Sequence, residues 1–194
     1  LAFVNKMDRA GADFFNVVNQ VKERLGATPI PLQVPIGVEE TFRGVVDLIN
    51  MRGIIWNEED QGMTFEEIAI PEDLKDSVKE WRDKLIEVAA ESDETLMEKY
   101  FEDPNSLTES DILSALRKST INMTIIPMLC GSAFKNKGVQ TMLDAVMAFL
   151  PSPLDIASIE GVNPRNDESV TRKPQASEPL AALAFKIATD PFVG

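Results

Sequence analysis

The chain has 194 residues, 44% of them hydrophobic, enough to bury a core and form one or two domains. It has no His and a single Cys, Cys130, which excludes His-based catalysis, His-ligated metal sites, zinc binding and an internal disulfide framework. The net charge is −13, yet residues 57–111 hold 19 Asp and Glu against 5 Lys and Arg, so the acidity belongs to one segment, which repels phosphate backbones and offers no nucleic-acid face.

No apolar run approaches the ~20 residues of a membrane span, no leader pattern is present, and the lone Cys fits a cytoplasmic setting, so no membrane partner is expected. The chain opens on Leu1-Ala2-Phe3-Val4, an apolar run of the kind that forms a buried strand, and closes after another strand-like run, Leu180 to Ala188. Both ends are expected to be cuts through folded domains.

In chain order, the Leu1–Val4 strand ends at the Asn5 loop. Asp13 is placed to cap a helix running to about Leu25, with Phe14, Val17, Val18, Val21 and Leu25 on one face and Gly26 after its end. Residues 29–38, 45–49 and 51–56 read as short strands punctuated by Gly37, Gly44 and Gly53. Pro71 opens a long helix whose stripe is Leu74, Val78, Trp81, Leu85 and Val88. Ser92 caps a shorter helix carrying Leu96, Met97 and Tyr100, and Thr108-Glu109-Ser110-Asp111 forms a capping box for a third, with Ile112, Leu113 and Leu116 inward. Trp81 and the Met residues read as core filler, and the acidic helices as solvated surface.

Residues 125–130 form a further buried strand, which Pro127 places at a sheet edge or a bulge. A helix from about Val139 to Leu150 follows, with Val139, Met142, Leu143, Val146 and Leu150 on one side. Residues 151–179 hold five prolines among polar residues and read as an interdomain connector, after which Leu180 starts a second domain.

Two motifs carry the chemistry: Asn5-Lys6-Met7-Asp8 and Gly131-Ser132-Ala133. Each follows a buried strand and precedes a helix, and loops at the carboxyl ends of neighbouring strands meet over one pocket. The pair reads as the base-recognition half of a guanine-nucleotide site. The Asp8 carboxylate can accept from the guanine N1–H and 2-amino group, a donor pair that adenine lacks. Bonds to a charged partner contribute roughly 1.5–3 kcal/mol each. A wrong base leaves the charge unpaired, for discrimination of about 10⁴. The Lys6 stem can lie along the base face. The Asn5 amide can tie the loops together, the Ala133 N–H can donate to guanine O6, and the Ser132 hydroxyl can brace the Asp8 loop. The phosphate-binding half is not found: there is no GxxxxGK[ST] loop and no DxxG switch, and the basic glycine stretch Lys135-Asn136-Lys137-Gly138 lacks the loop geometry.

The strings Asn5 to Arg9, Gly131 to Gln140 and Leu150-Pro151-Ser152-Pro153 resemble the bacterial elongation factor G family of translational GTPases, and Ala182 to Lys186 through Pro191 to Gly194 resembles the opening of that family's second, β-barrel domain. The resemblance covers essentially the whole chain. It implies an α/β fold: the C-terminal half of a P-loop-type GTPase sheet (1–27 and 123–150), an inserted acidic α+β G′ subdomain (28–122), a linker (151–179) and the first strand of a truncated barrel (180–194).

The resemblance further implies a ribosomal translocase in which GTP hydrolysis drives movement of tRNA and mRNA. The cofactor would be GTP or GDP with magnesium, bound through Asn5, Lys6, Asp8, Ser132, Ala133 and Phe134. The partners would be the ribosome and, through the acidic insert, its stalk protein. No catalytic residue and no metal ligand is expected within these 194 residues, nor hydrolysis or tight nucleotide binding by them alone. The competing readings are a ribosomal protection or release-factor GTPase and, for the chain alone, a non-catalytic protein-docking module.

Overall fold

In a computed structural model, which describes residues 1–104, 106–155 and 158–188, the chain divides into two units, Leu1–Leu150 and Pro151–Gly194. The first unit runs β1 (Ala2–Val4), α1 (Phe14–Leu25), β2 (Pro29–Pro31), β3 (Gln33–Ile36), β4 (Gly44–Asp47), β5 (Arg52–Trp56), β6 (Phe65–Ile68), α2 (Lys75–Ala90), α3 (Glu94–Glu102), α4 (Glu109–Ile121), β7 (Ile126–Cys130) and α5 (Val139–Phe149). The second holds β8 (Ile159–Val162) and β9 (Ser169–Arg172).

β1, β7 and β2 form a parallel sheet in that order, and β3 to β6 form an antiparallel meander. The stretch expected as one strand over 29–38 breaks at Leu32. There the chain leaves the first sheet for the second: Leu32 N–H donates to the Met128 carbonyl at 2.9 Å, and the Leu32 carbonyl accepts from Leu48 N–H at 3.0 Å. One residue thus joins both ladders. The two sheets share a core that includes Ile30 and Leu129 from the parallel sheet, Val34 and Val46 from the meander, and Val78, Leu85, Ile112 and Leu116 from the helices. β2 lies within the stretch expected as insert, yet it pairs with β7.

β1 is half-buried rather than fully buried, because it is an edge of its sheet. β7 is the central strand, which corrects the reading of Pro127 as an edge or bulge residue. Gly131 N–H donates to the Val4 carbonyl, so odd-numbered residues of β7 face β1. Pro127 lies on that side, before the ladder that starts at the Ala2–Met128 pair, so its missing N–H removes no ladder bond there.

The caps of α1 are as its sequence directs: the Asp13 carboxylate accepts from Asn16 N–H at 3.0 Å, and Gly26 ends the helix at φ 62°. Phe14 and Val18 are buried, but Leu25, expected inward, is 72% exposed, because the last turn overhangs the core. Phe15, not counted on that face, stacks on Trp81 with centroids 4.8 Å apart, seating α1 against α2. A 3₁₀ turn over Glu72–Leu74 precedes α2. Asp93, not Ser92, caps α3, accepting from Thr95 N–H. The Thr108–Asp111 capping box of α4 is present in both directions. β6 was not foreseen. It is an exposed acidic edge strand, held to β5 by its ladder and by Arg52 to Glu67. On α5 the buried residues are Ala145 and Phe149, while Leu143, expected inward, is 53% exposed. The rest of the expected face is half-buried, and Arg117 of α4 donates to the Ala148 and Leu150 carbonyls at the end of the helix.

In the second unit, the connector expected over 151–179 contains the β8–β9 hairpin, closed by Asn163 N–H to the Glu168 carbonyl. Its polar strands alternate without an apolar face, which hid them from a hydrophobic reading. Residues 180–188, expected as a strand, are exposed and carry no regular secondary structure, having no ladder partner among the described residues. The rest of the expected barrel start, 189–194, lies outside the described residues. No described helix is long and apolar enough to cross a membrane.

Candidate functional site

Parallel pairing puts the ends of β1 and β7 side by side, with Val4 opposite Cys130. The loops that follow therefore leave the sheet together at the carboxyl end of both strands. Two backbone bonds lock them: Gly131 N–H to the Val4 carbonyl and Met7 N–H to the Gly131 carbonyl, each 3.0 Å. Lys6 takes the left-handed conformation (φ 64°), which turns the first loop and buries Met7 while the Lys6 side chain stays exposed. Gly131 admits no side chain: a Cβ there would lie 2.3 Å from the Lys137 carbonyl oxygen and 2.6 Å from the Phe3 ring.

The Asn5 side-chain oxygen accepts from Lys6 N–H at 2.8 Å and from Ala133 N–H at 3.0 Å, so one amide spans both loops. The Ala133 N–H that the sequence assigns to a base is engaged by Asn5 here. Ser132 is buried, and its hydroxyl bond to Asp8 holds that carboxyl below the usual range. Burial opposes this effect; the residue's own N–H, Lys135 and Arg9 assist it. Lys135 Nζ lies 3.6 Å from the Asp8 carboxylate, whose side chain is 11% exposed. Asn5, Lys6 and Ala133 are exposed, and Phe134 stands out in solvent at 96% exposure, on the 3₁₀ turn Ala133–Lys135. The structure thus brings Asn5, Asp8, Ser132 and Ala133 into one cluster, rimmed by Lys6 and Phe134.

Chemically, the cluster offers an ionised, sheltered carboxylate beside a backbone donor. That set suits the edge of a ligand with two adjacent N–H donors and a nearby carbonyl. Among the described residues no group of three His, Cys, Asp or Glu is placed to hold a metal ion. Cys130 is fully buried, its thiol pKa raised by burial, and it serves as core.

Sequence reasoning missed the support beneath the second loop. Ser132 and Lys137 exchange backbone bonds at 2.9 and 3.0 Å. The Lys137 side chain, 2% exposed, donates to the Phe42 carbonyl at 3.0 Å and to Glu58 at 2.6 Å. Gln140 accepts from the Trp56 indole N–H at 3.0 Å and donates to the Gly62 carbonyl at 2.9 Å, which also accepts from the Asn136 amide at 3.0 Å. No local pattern marks these residues, since Glu58 and Lys137 lie 79 positions apart.

The family described as "Elongation factor Tu GTP binding domain" matches residues 1–152. Proteins described as "Elongation factor G" from Amoebophilus asiaticus and Cytophaga hutchinsonii are 62% and 64% identical to the chain over all 194 residues. The chain spans 27% and 28% of their lengths. A crystal structure of a Thermus thermophilus protein superposes with a TM-score of 0.68 at 22% identity, covering 80% of this chain and 23% of that one, which shows a shared fold.

Proposed function

Because the chain belongs to the elongation factor Tu GTP-binding domain family, we propose that its two tied loops read guanine within a ribosomal translocase GTPase. Asp8 would accept from N1–H and the 2-amino group, and the Lys6 stem would flank the base. The Ala133 N–H would pass from Asn5 to guanine O6, with Ser132 holding the carboxylate. Phe134 would border the base on its exposed side. The carrying observation is the Asn5 side chain bridging both loops beside a charged Asp8. The similarity to proteins described as elongation factor G favours translocation over the ribosomal protection and release-factor readings.

Within this reading the ligand is GTP or GDP with magnesium. The base loops fit the guanine; the magnesium ligands and the groups of phosphoryl transfer are assigned to no residue of this chain. Residues from Leu32 to about 122 would form the G′ insert, whose acidic α2 face would dock the ribosomal stalk protein. Residues from 180 would open a barrel domain. The site of action would be the cytoplasm, on the ribosome.

The test is competition binding on a full-length protein containing this chain. GTP and GDP should outcompete ATP by about 10⁴. Equal competition by ATP would remove the base-reading role.

A further inference from the structure

Resting on the base-reading proposal, we infer that the turn at 57–64, between β5 and β6, positions the Ser132–Ala133 loop, making Glu58, Gly62, Lys137 and Gln140 positioning residues for nucleotide recognition.

The turn reaches the loop through three separate contacts. Glu58 meets the buried Lys137 ammonium at 2.6 Å, and Lys137 shares two backbone bonds with Ser132. Lys137 is buried while the Glu58 side chain is 73% exposed, so removing Glu58 leaves the ammonium only the Phe42 carbonyl and loosens the segment whose backbone is bonded to Ser132. Gly62 stacks backbone on backbone: at φ 74°, a Cβ there would lie 2.7 Å from the Lys135 carbonyl oxygen and 3.0 Å from that of Asn136. Its own carbonyl accepts from Asn136 and Gln140. Gln140 in turn receives the indole N–H of Trp56, a buried β5 residue, so the loop is referenced to the meander rather than to its own strand alone.

The arrangement is a lever with defined ends. At one end are the exposed turn and an acid edge strand; at the other are the Ala133 N–H and the Asp8–Ser132 pair. A displacement of the turn has a direct route to both base-reading groups.

Two measurements test it. In the 194-residue chain, Glu58→Ala and Gly62→Ala should accelerate amide hydrogen exchange at Ser132 and Ala133 by about tenfold or more. Exchange at Val46 and Leu116, deep in the shared core, should hold. Glu58→Gln, which keeps an acceptor for Lys137, should fall between. In the full-length protein the same variants should weaken guanine-nucleotide binding on the order of tenfold.

Unchanged exchange at Ser132 and Ala133 would overturn the inference. So would acceleration shared equally by Val46 and Leu116, the mark of a purely structural contact, or loosened exchange with unaltered nucleotide affinity. The wild-type preference for GTP over ATP reports on base reading by itself, so the two failures are distinguishable.

Discussion

The Asp8 carboxyl is held below its usual range chiefly because Ser132 donates to it from a buried position, with Lys135 and Arg9 nearby. A carboxyl whose folded pKa is depressed contributes stability above the ordinary carboxylate range, and that contribution is lost as pH falls through the folded value. Ser132→Ala should therefore raise the Asp8 pKa toward its usual value, read by carboxyl-carbon NMR in an acid titration. It should also destabilise the chain at neutral pH by about 1.5–3 kcal/mol in urea. The penalty should shrink in acid, where wild type keeps only the weaker bond to a neutral carboxyl. An unshifted Asp8 titration would separate the two loops electrostatically. At this scale the sequence was legible where residues act as neighbours in a motif, as Asn5 and Asp8 do. It was silent on Lys137, which reads as one of two lysines in a polar loop until Glu58 and the Phe42 carbonyl are seen around it.

Elements were legible wherever their ends carry their own signals. Asp13 and Gly26 bracket α1, and Thr108 with Asp111 opens α4, because those bonds are made within a few residues. β6 and the β8–β9 hairpin were not, since Phe65–Ile68 and Ile159–Val162 are held to the neighbouring strand by backbone ladders and neither has a buried face. The Leu32 crossing was hidden for the same reason: its apolar run looks continuous, and only the two ladders divide it. On α2 the apolar stripe is legible, and so is its opposite. Asp76, Glu80, Asp83 and Glu87 are all exposed, at helical spacing. Glu80 is paired to Lys84, which leaves Asp76, Asp83 and Glu87 as the residues to reverse. Changing these three to Lys in the full-length protein should lower stalk-dependent GTPase stimulation about tenfold at low salt, measured as turnover with and without the stalk protein. Stimulation that survives unaltered would place the docking surface elsewhere.

For the molecule as a whole, the proposed base site is not a property of the two motif loops alone. β1 and β7 bring the motifs to one sheet end, but the antiparallel meander shares their core and props the second loop from beneath. The division at Leu150 coincides with the Pro-rich change in composition, which the sequence shows plainly. In the proposed role the Asp8 carboxylate meets the donor edge of guanine. The most direct measurement is the affinity of full-length wild type and Asp8→Asn for GDP and for xanthosine diphosphate, whose 2-oxo group accepts where guanine donates. The substituted amide presents a donor to that position, so the variant should lose GDP affinity by about 10²–10⁴ and gain for xanthosine diphosphate, reversing the preference. A variant that still prefers GDP with near wild-type affinity would show that Asp8 does not read the base.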